Sequence, residues 1–279
     1  MKPKSPEPAI IEKKRDYTVF IYDSQVFLKY ELPEMFNELS ITMFMRGKYT
    51  KSYYGDPAAM WKNIADDQTE KVALVAPEQK HGTVILETSM DIVLPVRPKG
   101  DGVLVSRPEI AGSLRFADCF SVIIVFSDPD PKILILHSGF RGTLENISGK
   151  SIRKLKNFYD TKLFFENCRI FIGPGIGSCC YSRNKDDQST KIAKKRFSAE
   201  WITEKENKIY FDLGNIIREQ LLQEGIPSAS IINIPLCTSC NKDLLYSYRR
   251  GDNNDRMFLL AGIYPDSCQN CIFWWDNIL

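Results

Sequence analysis

The sequence predicts an α+β protein in which a mixed sheet is flanked by helices. Between residues 71 and 105, the runs VALVA, TVILE, DIVLPV and GVLV follow one another at intervals of about ten residues, which is typical of strands joined by turns. Two further apolar runs, 121–126 and 132–137, are separated by Ser-Asp-Pro-Asp-Pro and predict a buried hairpin. Helical periodicity follows the hairpin, so helices and sheet are combined in one chain.

The N-terminal part of the chain, up to residue 70, is predicted to contain a tail, one or two strands and a helix. Residues 1–15 contain three prolines and no long apolar run, which predicts a mobile N-terminal tail. Residues 17–28 alternate apolar and polar side chains well enough for one or two opening strands. Within the polar stretch 46–70, Asp56 and Pro57 predict the start of a helix, because Asp caps helices and Pro suits the first turn.

Helices and strands alternate after the hairpin. A glycine-bearing turn at 137–142 precedes a segment in which Leu144, Ile147, Leu155 and Phe158 recur at helical spacing. The remaining predicted elements are a strand at 168–172, a charged helical stretch through residue 201, an amphipathic helix at 212–224 and a last pair of strands at 231–235 and 257–261.

Composition excludes several classes of function. Lys and Arg number 37 against 35 Asp and Glu, and a net charge of +2 argues against a nucleic-acid partner. The apolar runs are far shorter than the roughly 20 residues of a membrane span, and the first residues lack the apolar core of a signal peptide. We therefore expect a cytoplasmic protein with no membrane partner, whose eight cysteines are thiols or metal ligands. No pattern indicates an oligomeric state.

Three residues of metal-binding type stand at the ends of predicted strands. His81 precedes a strand, Cys119 heads the run at 121–126, and His137 ends the next run. Separations of 38 and 18 residues do not suit a zinc finger but suit a catalytic zinc with three ligands from different elements and one open position. The bound ion would lower the pKa of a water and polarise a substrate group. The alternative is a buried core thiol and two unrelated histidines.

Five motifs occur in an order that resembles the laccase-domain family. They are QKHG at 79–82, ADC at 117–119, HSGFRG at 137–142, GPGIGSCCY at 173–181 and CTSCNKDLLYSYRR at 237–250. Members of that family have been called multicopper polyphenol oxidases and, later, purine nucleoside phosphorylases with adenosine deaminase and methylthioadenosine phosphorylase activity. The resemblance extends over roughly residues 16–262, which is most of the chain.

The resemblance implies a single catalytic domain over residues 16–279 with a mixed sheet or β-sandwich core. It implies one catalytic zinc on His81, Cys119 and His137. The implied activity is phosphorolysis of adenosine, inosine, guanosine or S-methyl-5′-thioadenosine by inorganic phosphate, with adenosine deamination as an accompanying activity. The chain departs from the family at Lys80, at 138–140 and at 254–256, which concerns the border of the pocket and not the ligands.

Copper is not expected, despite the name of the family. A multicopper oxidase ligates a blue copper and a trinuclear cluster, and it does so mainly through imidazoles. The chain has two histidines, which are too few for those centres. We therefore expect one redox-inert zinc.

Phosphorolysis also requires an anion site. The 137–142 turn would present backbone N–H groups, the Ser138 hydroxyl and Arg141 at a helix N-terminus, although a tight turn that needs its glycines explains it equally well. Arg46, Arg249 and Arg250 are further candidates, because guanidinium groups pair bidentately with oxyanions, and each also fits a surface ion pair. Deamination would need attack on C6 of adenine, and no glutamate stands in an H-x-E arrangement for proton transfer.

Two C-x-x-C pairs, Cys237 with Cys240 and Cys268 with Cys271, carry a separate hypothesis. Together they would form a structural four-cysteine zinc site, although the 27 residues between the pairs exceed the usual spacing. A disulfide and free thiols are the alternatives. The adjacent cysteines at 179–180 are assigned to packing beside a G-x-G-x-G turn, which is not the dinucleotide-binding pattern.

Two other functions are compatible with the same residues. In the first, Cys119 is a thiolate nucleophile and His137 is its base, as in a cysteine hydrolase or amidase. In the second, zinc stabilises a non-catalytic interaction module, which would unfold on chelation. Thiol alkylation tests the first, because a zinc-bound Cys119 resists reagents that a free thiolate attacks.

Overall fold

The structure is a computed structural model that describes residues 7–51, 54–65, 71–264 and 273–279. The strands within these ranges are β1 (Ala9–Lys13), β2 (Tyr17–Tyr22), β3 (Gln25–Tyr30), β4 (Leu39–Gly47), β5 (Ala73–Val75), β6 (Ile85–Glu87), β7 (Gly102–Val105), β8 (Ile110–Phe116), β9 (Phe120–Ser127), β10 (Pro131–Ser138), β11 (Arg169–Ile172), β12 (Ser182–Asn184), β13 (Ile202–Lys205), β14 (Lys208–Phe211), β15 (Ile231–Asn233) and β16 (Met257–Ile263). The α-helices are α1 (Lys48–Lys51), α2 (Pro57–Ile64), α3 (Phe140–Leu144), α4 (Ile147–Phe158), α5 (Thr161–Asn167), α6 (Gln188–Arg196) and α7 (Leu213–Gln223). None of the helices in these ranges combines the length and the apolar composition needed to cross a bilayer.

Two large mixed sheets share one core. The first has the strand order β1-β2-β3-β4-β16-β8-β5, and the second has the order β15-β11-β9-β10-β7-β6. Each sheet contains parallel and antiparallel neighbours: β5 runs parallel to β8, and β15 runs parallel to β11, whereas β9 and β10 are antiparallel. A third sheet has the order β12-β14-β13.

Alternation along β9 explains why its residues 122–126 form an unbroken apolar run. Ile123 and Val125 belong to the core that the two large sheets share. Val122 and Ile124 belong to a second core, on the opposite face, where they pack with side chains of α4 and α7. Because successive side chains of a strand point to opposite faces, a strand buried on both faces has no polar positions to spare.

A third apolar cluster covers the outer face of the first sheet. Phe20, Phe27 and Phe44 from that sheet pack there with Met60 of α2 and with Trp275 near the end of the chain. The sheets therefore form a two-layer core with helical segments on both outer faces. This arrangement confirms the predicted α+β class and the prediction of a single domain.

Several local predictions are confirmed. The hairpin is formed by β9 and β10, with His137 opposite Ser121. The α2 helix begins where predicted, and the Asp56 side chain accepts a hydrogen bond from the Ala58 N–H at 2.9 Å. The α7 helix has Asp212 as its cap, as its sequence predicts. In each helix the capping carboxylate accepts an N–H group that the first turn leaves without a partner.

Two predictions are corrected. Residues 9–13, placed in the N-terminal tail, form β1 and pair antiparallel with β2. This edge strand has mostly exposed side chains and is held by backbone hydrogen bonds to β2. Its sequence therefore lacks the apolar alternation that would predict a strand. Residues 91–96 contribute to a 3₁₀-helix at Met90–Ile92 and not to a strand, because Ser89 caps that turn and Pro95 has no N–H for a ladder.

The last two predicted strands both exist, but they do not pair with each other. Strand β15 extends the second sheet as a parallel neighbour of β11, whereas β16 lies between β4 and β8 in the first sheet. The sequence order of β15 and β16 does not show that they belong to different sheets. A long connection between them crosses from the second sheet to the first.

Candidate metal centre and active-site cleft

His81, Cys119 and His137 come together at one point of the fold. One ligand atom from each residue lies within 4.8 Å of the others, and the two imidazole centroids are 4.8 Å apart. Cys119 directly precedes β9, and the β9–β10 register places His137 opposite Ser121, two residues further on. His81 is supplied by the loop between β5 and β6. The structure thus brings the three predicted ligands into one site.

The buried carboxylate of Asp101 positions both histidine segments. It accepts the backbone N–H groups of Lys80, His81 and Gly82 at 3.1, 2.8 and 2.7 Å. The same carboxylate lies 2.9 Å from Nδ1 of His137, and the Asp101 carbonyl accepts the His137 N–H at 2.8 Å. His81 is held in a left-handed conformation with φ of 59°. These bonds compensate for a backbone geometry that a residue with a side chain rarely adopts.

The protonation of Asp101 determines which His137 nitrogen is free. Burial acts to raise the pKa of Asp101, but the hydrogen bonds from His137 and the backbone outweigh it and leave the pKa low. The ionised carboxylate therefore accepts Nδ1–H from His137. In its neutral form His137 then keeps the lone pair on Nε2, as in metal sites where a carboxylate orients a ligating histidine.

The electrostatics of Cys119 favour its thiolate. Burial alone would raise the pKa of the thiol, but the imidazoles of His137 and His81 lower it to about 6. Burial alone would lower the pKa of His137, but the Cys119 sulfur and Asp101 raise it to about 9. One thiolate and two imidazoles with an oriented outer partner fit Zn²⁺ with its fourth position open to a substrate.

Gly139 allows the ligands to approach the turn after β10. A Cβ atom at this position would lie 2.6 Å from Cys119 Sγ and 3.2 Å from His81 Cδ2. Contacts this short are repulsive, so the turn needs a residue without a side chain. Gly139 is therefore explained by the close approach of Cys119 and His81 and not by backbone conformation.

The metal centre lies on the wall between two lobes of one cleft, with volumes of about 540 Å³ and about 420 Å³. Both lobes are lined by His81, Asp118, Cys119 and Tyr181. The larger, the aromatic lobe, is further lined by Lys80, Gly139, Phe140, Arg141, Leu144, Ile176, Arg183, Ser189 and Leu213. The smaller, the arginine lobe, is further lined by Gln79, Arg115, Ala117, His137, Tyr248, Arg249 and Arg256.

The aromatic lobe presents flat apolar surfaces. The rings of Phe140 and Tyr181 are 6.1 Å apart, and the Arg183 guanidinium lies 4.1 Å above the Phe140 ring. Ile176 and Leu213 complete its apolar lining. Such a lobe suits a planar heterocycle, because aromatic side chains bind flat rings by stacking and edge contacts.

The arginine lobe concentrates positive charge. Burial lowers the pKa of Arg115 to about 10, and the neighbouring Arg97 and Arg256 act in the same direction. Arg249 joins them, with its guanidinium 5.2 Å from the Tyr181 ring. A bound oxyanion would relieve this repulsion and accept several N–H donors at once.

The residues predicted for the anion site are divided by the structure. Arg249 and Arg141 line the cleft. Arg46 and Arg250 instead bond Asp252, at 2.9 and 2.6 Å, and backbone carbonyls beside it. Ser138 is buried, with its hydroxyl 2.9 Å from the Thr143 hydroxyl, and α3 is only five residues long. The prediction is corrected for these three residues, because none of them lines either lobe.

Sequence reasoning missed several residues of the site. Asp101, Arg115 and Arg183 come from three separate segments and belong to none of the five motifs, so no spacing indicates them. Arg256 ends the 254–256 segment, where the chain departs from the family pattern. That departure is the feature of the sequence that points to Arg256 as a residue of the site.

The predicted cysteine site is also divided. Cys237 and Cys240 lie together, and the sulfurs of Cys179 and Cys180 lie beside them. The packing role predicted for these two adjacent cysteines is corrected, because Cys179 is exposed and its sulfur lies beside those of Cys237 and Cys240. The second predicted pair, Cys268 and Cys271, lies outside the described residues.

Comparison with known proteins gives consistent matches. The sequence profile described as multi-copper polyphenol oxidoreductase laccase matches residues 56–263. Purine nucleoside phosphorylase of Borreliella burgdorferi is 29% identical over 227 residues, which are 78% of this chain and 92% of that protein. Purine nucleoside phosphorylase YlmD of Geobacillus stearothermophilus is 30% identical over 191 residues, 63% of this chain and 66% of that protein. The crystal structure of YlmD from Geobacillus stearothermophilus shows the same fold, with a TM-score of 0.71 at 21% identity. The superposition covers 92% of this chain and 99% of the YlmD chain.

Substitution of Gly139 tests the geometry of the metal centre. The methyl group of Gly139→Ala would lie against the Cys119 sulfur, so we expect zinc affinity to fall by about tenfold or more while the protein stays folded. Chelator competition measures the affinity, and thermal unfolding monitors the fold. Gly142→Ala is the matched control, because its Cβ would meet neighbours only at 3.5 Å or beyond. Equal zinc affinities in the two variants would contradict this geometry.

Proposed function

Because this chain belongs to the multi-copper polyphenol oxidoreductase laccase family and relatives are named purine nucleoside phosphorylase, we propose that it is a zinc-dependent purine nucleoside phosphorylase. One observation carries the proposal: the His81–Cys119–His137 group lies between an aromatic lobe and an arginine lobe. A nucleoside and a phosphate are ligands of these two kinds. The reaction joins them at the wall that the lobes share.

The proposed reaction exchanges one bond at the sugar. An oxygen of inorganic phosphate forms a bond to C1′ of the nucleoside, and the bond from C1′ to the purine nitrogen breaks with its electron pair leaving on the base. The aromatic lobe would hold the purine against the rings of Phe140 and Tyr181, which both line it. The arginine lobe would hold phosphate through Arg115, Arg249 and Arg256, whose charges stabilise the oxyanion during transfer.

His81, Cys119 and His137 would hold the zinc, and Asp101 would keep His137 in its ligating tautomer. When bound, zinc supplies a Lewis acid that polarises a substrate atom at the shared wall. Zinc is favoured over copper because both histidines of the chain belong to this one three-ligand site. We extend the proposal to adenosine deamination as an accompanying activity, supported by the family resemblance, and to a cytoplasmic location, supported by the free cysteines among the described residues.

A cysteine hydrolase or amidase is the second candidate, and one observation favours it. Without metal, Cys119 has a pKa of about 6 beside His137 with a pKa of about 9, which is the pattern of a thiolate and imidazolium pair. Against it, a second imidazole, His81, also contacts the sulfur, and a nucleophile needs only one base.

A screen of nucleosides tests the leading proposal. Purified protein is incubated with adenosine, inosine, guanosine or S-methyl-5′-thioadenosine, with and without inorganic phosphate, and products are separated by chromatography. We expect free base and a sugar 1-phosphate only when phosphate is present, and ammonia release from adenosine reports deamination. Cys119→Ala should abolish turnover, whereas Cys168→Ala, in the apolar core away from the cleft, should retain it. Full turnover by Cys119→Ala would refute the assigned site.

Arg115→Gln tests the assignment of the arginine lobe. Loss of a charged hydrogen-bond donor is worth about 1.5–3 kcal/mol, so we expect KM for phosphate to rise by about tenfold or more. KM for the nucleoside should change little, because the purine is assigned to the other lobe. Arg107→Gln is the control, because Arg107 is exposed and does not line the arginine lobe. Its Nη1 lies 3.8 Å from Oε1 of Glu109. An equal rise in both KM values would contradict separate subsites.

Alkylation distinguishes a zinc ligand from a nucleophile. In protein purified without chelator, zinc should protect Cys119 from iodoacetamide. After chelation the thiol should react readily at pH 7, above its pKa of about 6, and more slowly as the pH falls through that value, because protonation removes the thiolate. Peptide mass spectrometry quantifies the modification. Rapid modification before chelation would favour the hydrolase.

A further inference from the structure

A second group of sulfurs lies outside the His81–Cys119–His137 centre. Cys179 and Cys180 are in the turn between β11 and β12, and Cys237 and Cys240 follow β15. The Sγ of Cys179 lies 3.7 Å from that of Cys237 and 3.6 Å from that of Cys240, and the Sγ of Cys180 lies 3.5 Å from that of Cys240. All four sulfurs lie within 4.8 Å of one another.

These distances match a shared tetrahedral metal. Four sulfurs at about 2.3 Å from a central zinc are about 3.8 Å from one another, which is the length of a tetrahedron edge. The three sulfur separations of 3.5–3.7 Å are close to this value. A disulfide would require about 2.05 Å, and none of the six described cysteines is bonded to another.

The surroundings also suit thiolate ligands. The Gly177 N–H donates to the Cys237 sulfur at 3.2 Å, a contact that stabilises negative charge on sulfur. Cys179 and Cys240 are exposed, so apolar packing does not explain why the four sulfurs converge. Four thiolates this close repel one another without a cation, and a set of four sulfurs with no other donor type is the set that structural zinc sites use.

We propose that Cys179, Cys180, Cys237 and Cys240 bind a second, structural zinc. The site clamps the turn at 173–181 to the segment at 237–240, which are otherwise linked by the Gly175–Cys237 bridge. It replaces the pairing of Cys237 and Cys240 with Cys268 and Cys271 that the sequence alone suggests. A closed set of four ligands leaves no position for substrate, so this zinc acts on shape and not on the reaction.

The clamp supports the cleft through Asp118, the residue before the metal-binding Cys119. The Ile176 N–H donates to the Asp118 carbonyl at 2.8 Å from one clamped segment. The Thr238 hydroxyl donates to the Asp118 carboxylate at 2.7 Å from the other. Tyr181, which lines both lobes, directly follows Cys180. The structural zinc thereby fixes the segments at 173–181 and 237–240. Both segments hold Asp118, the neighbour of Cys119.

Metal counting tests the proposal on the full-length protein, purified under reducing conditions without chelator. Elemental analysis should give two zinc ions per chain in the wild type and one in Cys240→Ser. Cys119→Ala should also retain one zinc, so failure of the catalytic centre and failure of this site are distinguished. Cys268→Ser should keep both ions. A wild-type count that Cys240→Ser leaves unchanged, or loss of one ion in Cys268→Ser, would overturn the assignment.

A measurement on the unaltered chain covers the case in which Cys240→Ser does not fold. Iodoacetamide mapping should show all four cysteines protected before chelation and modified after it. The mass of the untreated protein should be that of a chain without disulfides. Replacement of zinc by Co²⁺ should give the intense thiolate-to-cobalt absorption of a four-sulfur site, beyond what one thiolate at Cys119 produces. Immediate alkylation of Cys179 and Cys240, or a disulfide among the four, would refute the site.

Discussion

The buried carboxylate of Asp101 is the interaction on which the candidate site depends. A charge in this position is costly unless it is fully hydrogen-bonded, and Asp101 receives three successive backbone N–H groups and an imidazole. Those same bonds hold His81 in a left-handed conformation and fix the tautomer of His137. Two candidate ligands from distant parts of the sequence are thereby positioned by one side chain.

The sheets determine where the third ligand lies. The β9–β10 register places Cys119 and His137 at the same end of a hairpin whose strands are buried on both faces. Such strands cannot shift by one residue without exposing their apolar side chains, so the ligand positions are rigid. The segments that surround this end of the hairpin contribute Phe140, Arg249 and Arg256 to the lining of the cleft.

Sulfur is used in two ways in this chain. Cys119 lies with two imidazoles beside the cleft, a set that would leave a fourth metal position open, whereas the other described sulfur group offers four thiols. The two sites are connected, because both segments that carry the four thiols are hydrogen-bonded to Asp118 beside Cys119. On the two proposals above, one metal would support the shape of the cleft and the other would supply chemistry at its wall.

The sequence by itself determined the α+β class, the β9–β10 hairpin and the choice of His81, Cys119 and His137 as candidate ligands, because apolar alternation and ordered motifs are local properties. It also limited the metal, since two histidines cannot build copper clusters. Only the tertiary structure decided the contribution of Asp101 and the burial of Arg115 in the arginine lobe. It likewise turned Arg46 and Arg250 toward Asp252, and brought Cys179 to Cys240. The reason is physical: these contacts join segments far apart in the chain, and no residue spacing records which loops meet where two sheets pack.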